Sequence, residues 1–476
     1  MTARERIETL FDEGTFVEIG AYAKHRCNDF NMPKREAPYD GVITGYGQVN
    51  GRLVYAFSQD QKVLGGSVGE MHANKIINCQ KFATKVGAPL IEILDTSGAR
   101  LEEGIDALAG YGKIFFNNTK VSGVIPTISL IMGDCNGISS FIASLSDFTL
   151  MVKNKSRMFL NGKEAIETKS GKSDDLNAIG LDKTHNTKTG LVHIVTDDEN
   201  DCLQKAKKLL SYLPQNNMEK GEVIDGNDDI NRDSVELDGI DYNKAINVKE
   251  VINSIADSND FFELQAEFAK NIVTGFIRLG GKPVGVIANQ ETEKSGALDS
   301  AASNKAARFI RVCDVFNIPI LTIVNSDGFI KDAKEENEGL IKHISKLVYS
   351  YSEATIPMVT LIVKNAIGGA YVAMGSKTLG ADISVAWPNA NIAIMSAEGI
   401  ANIIDTDIDG NANISRDEKI EKYKNKIMKP DFAASRGYID DIIEPSKTRQ
   451  KLISYFDAIE TKVVNRLNKK HGNMPI

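Results

Sequence analysis

Apolar residues along this chain come in short, unbroken runs rather than in long alternations. PLIEILD (89–95), TISLIM (127–132), ILTIVN (320–325) and MVTLIVK (358–364) are rich in Ile, Leu and Val, and turn residues close each run: TSG, GDCNG, SDG and NAIGG. Runs without a polar alternate predict strands buried on both faces, in sheets covered by helices. The segments between them are more polar. EEGIDALAGYGKIFFNNTK (102–120) and EENEGLIKHISKLVYSYSEAT (335–355) predict helices, and the small-residue-rich ISSFIASLSDF (138–148) predicts a closely packed one.

The pattern occurs twice. YGQVNGRLVYAFSQD (46–60) matches FIRLGGKPVGVIANQ (276–290), placing Gly51 against Gly281, 230 residues on. APLIEILDTSGAR (88–100) matches IPILTIVNSDGFI (318–330), with Pro89 against Pro319 and Gly98 against Gly328 at the same offset. SGVIPTISLIMGDCNGISSF (122–141) matches EATIPMVTLIVKNAIGGAYV (353–372), with Pro126 against Pro357 and Gly137 against Gly368. Several Pro and Gly coincidences in order, in matching apolar surroundings, point to duplication of a whole α/β domain. A chain of 476 residues also exceeds the roughly 250–300 residues that one hydrophobic core serves. The expected division is a first domain over 1–225, an acidic polar linker over 226–250 and a second domain over 251–476. The polar stretch 214–241 motivates the linker, and the basic segment 461–472 predicts a terminal helix.

Composition narrows the function. The net charge of −8, with Lys and Arg scattered, gives no nucleic-acid footprint. Five dispersed cysteines form no CxxC pair and six histidines no HExxH motif, so neither a disulfide framework nor a metal site is expected. The charged opening MTARERIETLFDEG does not read as a signal peptide, and no apolar run approaches the roughly 20 residues that span a bilayer. The chain is read as cytoplasmic, able to lie against a membrane through a partner subunit.

The candidate chemistry sits in the turns. A Gly-rich turn between a buried strand and a helix presents main-chain N–H groups suited to an oxyanion. Gly133–Ile138 and Ala366–Tyr371 are such turns, one per repeat, and Thr96–Arg100 is a companion wall. There is no GxxxxGK[ST], no well-placed GxGxxG and no GxSxG elbow. Cys135 reads as a small buried residue rather than a nucleophile. Glu102, Glu103 and Asp134 are the acids a hydratase or isomerase would need beside the first turn.

SGARLEEGIDALAGYGKIF (97–115), SNKAARFIRVCDVFNIPI (303–320), ATIPMVTLIVKNAIGGAYVAMGSK (354–377), AWPNANIAIM (386–395) and FAASRGYIDDIIEPSKTR (432–449) occur in that order. With them the chain resembles, over nearly its full length, the carboxyltransferase subunits of biotin-dependent acyl-CoA carboxylases and decarboxylases. The propionyl-CoA carboxylase beta and methylmalonyl-CoA decarboxylase alpha types are the nearest.

The resemblance implies two tandem crotonase-like domains of the ClpP/crotonase superfamily. It implies an acyl-CoA side in the first domain, with Gly137 and Ile138 receiving the thioester oxygen and Ser97, Gly98, Ala99 and Arg100 around the substrate, and with Val372 of the second domain approaching the acyl group. It implies a biotin side in the second, with Gly368, Gly369, Ala370 and Tyr371. Biotin would arrive on a separate biotin carboxyl carrier protein, since no Met-Lys-Met site is present, and a CoA thioester would be the substrate. The remaining partner would be a biotin carboxylase subunit or a membrane decarboxylase subunit. The assembly would be a homodimer or a hexamer built as a trimer of dimers. Carboxyl transfer to a short acyl-CoA is the first expectation, with decarboxylation of a methylmalonyl-type thioester in a sodium-pumping complex and a non-catalytic scaffold as alternatives. Ser97 and Ile138 stand where the family usually has glycine.

Overall fold

The computed structural model describes residues 1–162, 166, 179–224 and 226–475. They form two compact units, 1–221 and 222–476. Segment 226–250, expected as a linker, therefore lies within the second unit, where Leu237, Ile246 and Val248 are buried in the core.

In the first unit an eight-stranded sheet is built from β1 (Val17–Ile19), β2 (Val42–Val49), β3 (Arg52–Gln59), β4 (Leu90–Thr96), β5 (Thr127–Asn136), β6 (Phe148–Val152), β7 (Arg157–Phe159) and β8 (Ile194–Thr196). β1, β2 and β3 pair antiparallel; β3, β4, β5, β6 and β8 pair in parallel, and β7 pairs with the end of β5. Asn50 and Gly51 both take positive φ at the tight turn joining β2 to β3, the backbone that Asn-Gly favours between antiparallel strands.

The second unit repeats this strand for strand with β9 (Phe262–Leu264), β10 (Ile272–Leu279), β11 (Lys282–Asn289), β12 (Ile320–Ser326), β13 (Met358–Ile367), β14 (Ile383–Ala386), β15 (Asn391–Ala393) and β16 (Asp441–Ile442). β15 pairs with the end of β13 as β7 does with β5. The pattern is that of two tandem crotonase-like domains, as expected. The central parallel strands are buried along their length (Leu90–Thr96 and Ile320–Ser326 throughout), which is why they read as unalternated apolar runs.

Helices Glu70–Val86 and Ile105–Val121 cover the first sheet, and Ser300–Val315 and Leu340–Glu353 the second. Glu70–Val86 ends on Gly87 at φ 65°, a left-handed cap. The helix expected over 335–355 is broken at Gly339 (φ 103°) into Ala333–Asn337 and Leu340–Glu353. The basic tail is not the expected helix: Lys462 pairs with Asp382 at 2.8 Å and Lys469 with Glu353 at 2.6 Å, so side-chain contacts hold an irregular strap. Among the described residues no helix is long and apolar enough to cross a membrane.

Candidate active site

The two turns singled out from the sequence overlap the ends of the longest strands: Gly133–Asn136 belongs to β5 and Ala366–Ile367 to β13, so the chain turns only at Gly137 and Gly368, and each strand is irregular just before that point. β5 pairs regularly with β4 up to Leu94 opposite Ile131, then resumes with Thr96 opposite Cys135. β13 does the same against β12, from Val324 opposite Ile362 to Ser326 opposite Ala366. Two extra residues on one strand of a pair bend it and re-aim the residues beyond the bend. In both units this irregularity brings the end of the long strand onto the short β7 or β15 and leads directly into the turn.

In the first turn Gly137 takes φ 61° and opens a 3₁₀ turn, Gly137–Ser139, that leads into the helix Ser140–Leu145. The first N–H groups of such a turn have no acceptor within it. Ser140 Oγ donates to the Gly137 carbonyl at 2.7 Å, which fixes the turn from behind. Ile138 needs no left-handed backbone, since Gly137 carries it, and its half-buried side chain packs on the core. A β-branched residue is therefore accommodated next to the glycine.

In the second turn Gly368 takes φ 65° and donates its N–H to Ala393 O at 2.8 Å on β15. Its own amide is thus committed to shape. Gly369 and Ala370 begin the helix Gly369–Ala373, where N–H groups lack helical acceptors. A Cβ at Gly369 would stand 2.8 Å from the edge of the Phe329 ring, so a larger residue would have to displace that ring. The turn borders a cleft of about 570 Å³ lined by Gly328, Phe329, Ile367, Gly368, Gly369 and Ile394. The Tyr371 hydroxyl is buried without a hydrogen-bond partner among the described residues, and burial raises its pKa. Val372 is exposed. Both helices after the turns are short, so the turn amides themselves, rather than a helix dipole, are what these sites offer.

The companion wall is main-chain bonded. Ser97 N donates to Gly65 O at 2.9 Å, Val68 N to Gly98 O at 2.9 Å and Arg100 N to Val68 O at 3.0 Å. Ser97 is exposed, Gly98 (φ 106°) is buried, and Ala99 lies between the two in exposure. A Cβ on Gly98 would approach Asn136 O to 3.2 Å, so this wall abuts the residue preceding Gly137. Arg100 is 1% exposed, with its guanidinium turned inward.

Glu102 and Glu103, near this turn, are both paired. Glu103 receives Arg100 Nη1 at 2.7 Å and the Glu70 N–H at 2.6 Å. Glu102 pairs with Arg35 at 2.6 Å; a backbone hydrogen bond and that arginine lower its pKa. Asp134 stands opposite Arg157 in the β5–β7 register. Cys135 is fully buried, and burial raises its thiol far above the usual range, so it is packing rather than nucleophile.

One feature went unmarked in the sequence. Lys24, His25, Arg26, Cys27, Lys34 and Arg35 line a cleft of about 440 Å³ in the first unit. It joins the companion wall through the Arg35–Glu102 pair and through Cys27 Sγ, 3.4 Å from Glu102 O. The cations clustered in 24–26 and 34–35 were the available signal.

A family model described as the carboxyl transferase domain matches residues 1–474. The chain is 46% identical to the methylmalonyl-CoA decarboxylase alpha subunit of Propionigenium modestum, covering 100% of this chain and 93% of that protein. It is 45% identical to the propionyl-CoA carboxylase carboxyltransferase subunit of Haloferax mediterranei, with the same coverage. The transcarboxylase 12S crystal structure, described as a hexamer with methylmalonyl-coenzyme A bound, superposes with a TM-score of 0.96 at 43% identity, over 100% of this chain and 93% of that one.

Proposed function

Because this chain belongs to the carboxyl transferase family, we propose that it moves a carboxyl group between carboxybiotin on a separate carrier protein and the α-carbon of a short-chain acyl-CoA. The substrate is of the propionyl or acetyl type. The observation that carries this reading is the matched pair of bulge-and-turn strand ends, one per unit, each ending in main-chain N–H groups. Carboxyl transfer needs two oxyanion sites, one for each reactant.

In the first unit the Gly137 and Ile138 amides receive the thioester oxygen and stabilise the enolate as the α-proton leaves. The basic cleft Lys24–Arg35 suits the phosphates of CoA. In the second unit Gly369 and Ala370 offer their N–H groups to the ureido oxygen, with Gly368 fixing the turn and Tyr371 beside it. The cleft beside these glycines and the Tyr371 hydroxyl, buried without a partner among the described residues, fit a small polar ring. Bound biotin would supply the ureido nitrogen that carries CO2 and that, once freed of it, would accept the α-proton. The protein contributes preorganised dipoles and proximity.

The same site run backward decarboxylates a malonyl-type thioester. The 46% identity to a methylmalonyl-CoA decarboxylase alpha subunit supports that direction as the second reading, with a membrane decarboxylase subunit in place of a biotin carboxylase as partner. A homo-oligomer, dimer or hexamer, accounts for the apolar stripe Leu101, Ile105, Leu108 and Phe116, each at least half exposed.

Gly369→Val tests the assignment. Biotin-dependent turnover should vanish while the CoA thioester still binds; full turnover in that variant overturns the role of the second turn.

A further inference from the structure

Arg100 was expected among the substrate-binding residues, but its surroundings give it a different task. Its Nη1 donates to Asp40 Oδ1 and to Glu103 Oε1, both at 2.7 Å. Nη2 donates to Ser67 O at 2.8 Å and Nε to Ser67 Oγ at 3.2 Å. Three separate stretches meet on this one buried guanidinium: the turn at 39–41, the loop at 64–70 and the wall at 97–103.

The partners are themselves constrained. Asp40 is fully buried and, with Tyr39 and Gly41, takes positive φ (46°, 50° and 72° for 39, 40 and 41), a strained run in which Asp40 is held facing Arg100. The Asp40 carbonyl in turn meets His72 Nδ1 at 2.8 Å. Glu103 closes the other side by accepting the Glu70 N–H at the start of the helix Glu70–Val86.

The second unit shows that the fold does not require this arrangement. At the same 230-residue offset, Arg100 becomes Ile330, Ser67 becomes Ala297, Asp40 becomes Lys270 and Glu103 becomes Ala333. The main-chain ladder survives without the ions: Ile330 N donates to Leu298 O at 2.9 Å and Leu298 N to Gly328 O at 3.0 Å. A buried arginine with two carboxylates is costly to assemble, and the first unit keeps it where the second makes the same loop with isoleucine.

We infer that Arg100 is a positioning residue of the acyl-CoA half-site: through Asp40, Glu103 and Ser67 it fixes the Ser97–Gly98 wall against the Gly137 turn, and it does not touch the substrate. This rests on the reading that places the acyl-CoA side in the first unit. The wall meets the turn at Asn136 O, so a small displacement of Gly98 moves the surface beside the Gly137 amide. A misplacement of about 1 Å in a site of this kind costs on the order of 100-fold in rate.

The experiment uses the full chain in its complex. Arg100→Lys, Asp40→Asn and Glu103→Gln are assayed with an acyl-CoA and with the same thioester lacking the 3′-phosphate, and melting temperatures are recorded alongside. kcat should fall about 10- to 100-fold, by the same factor for both thioesters, with KM for each moving less than about threefold. Arg100→Lys, which keeps the charge, should retain more activity than Arg100→Met. A loss confined to KM for the phosphorylated thioester would show that Arg100 contacts CoA and would overturn the proposal; so would an unchanged kcat in all three variants. If the Arg100 variants do not fold, Asp40→Asn and Glu103→Gln decide. Gly137→Val run in parallel separates the two claims: undiminished thioester turnover there overturns the placement of the half-site, whereas its loss beside fully active Arg100 variants overturns only the positioning role.

Discussion

Lys75 and Lys305 are 230 residues apart and end in the same way, with their side-chain nitrogens pointing into main-chain carbonyls at the start of the first long antiparallel strand. Lys75 Nζ donates to Tyr39 O at 2.9 Å and to Val42 O; Lys305 Nζ donates to Gln265 O, Phe268 O and Ile272 O at 2.8–2.9 Å. Burial pulls the amines down, to about 8 for Lys75 and about 7 for Lys305. Lys305→Met would take the lysine donor from Phe268 O and Ile272 O, while Gln265 O keeps the Phe268 N–H at 3.1 Å. It should cost roughly 2 kcal/mol or more, read as a lower urea midpoint at unchanged slope.

Glu92 lies fully inside the first sheet, accepting Ser129 Oγ at 2.8 Å and Ser146 Oγ at 2.7 Å on one oxygen. Desolvation raises it to about 7. Between the ordinary glutamate range and pH 7 the folded state holds a proton that the unfolded state has lost, so stability falls as pH rises through that window. Glu92→Gln preserves both serine contacts and should flatten the slope. Above pH 7 it should gain up to about 3 kcal/mol relative to the parent. Parallel pH series of denaturant midpoints check this; a slope unchanged by the substitution would refute it.

Gly137 and Gly66 both take positive φ but differ in surroundings. A Cβ on Gly137 meets nothing within 4 Å, whereas one on Gly66 would stand 2.3 Å from Asp95 O. Gly137→Ala should therefore cost only about 1 kcal/mol of stability while its methyl enters the acyl side and lowers turnover. Gly66→Ala should lower the melting temperature by clearly more. Thermal melts beside initial rates distinguish the two.

Thiol reactivity should separate one cysteine from four. Cys27 is partly exposed in the basic cleft; Cys79, Cys135, Cys202 and Cys313 are buried, and burial raises their thiols. An aromatic disulfide reagent at neutral pH should titrate one fast thiol per chain, the other four reacting only on unfolding, and a Cys27→Ser variant should lose the fast phase.

Ile138→Gly should loosen the backbone beside the Gly137 amide by removing a half-buried side chain from the core there. Turnover of propionyl-CoA and of a longer or branched acyl-CoA should then fall together, with no gain for the larger thioester. Ratios of kcat/KM across an acyl series measure it.

The fold was legible where physics is local. Buried parallel strands have to be continuous apolar runs, so 89–95 and 320–325 declared themselves, and the fixed spacing of Pro and Gly exposed the duplication. GDCNG read as a turn, yet Gly133–Asn136 continues β5, because the bulge and the pairing to Arg157–Phe159 depend on a strand more than twenty residues away. The glycines of both turns were visible for the same local reason. The inward pairing of Arg100 was not legible because its partners, Asp40 and Ser67, lie 60 and 33 residues before it, and no periodicity links them. The segment after 225 looked like a linker because it is polar, but its few apolar residues, Leu237 and Ile246, are the ones that pack.

The matched strand kinks have an evolutionary consequence. Each presents peptide groups, not side chains, at the turn that follows it, and on the proposed reading those groups meet the developing charge; a peptide group persists through any substitution that spares its torsion angles. The surrounding side chains are then free to vary, as Ser97 and Ile138 could beside Gly98 and Gly137, which carry the positive φ. A lineage built this way can change which thioester it accepts, or which direction it runs, without rebuilding the reacting groups. Ancestry is then read more securely from the spacing of kink and glycine than from any particular residue in the pocket.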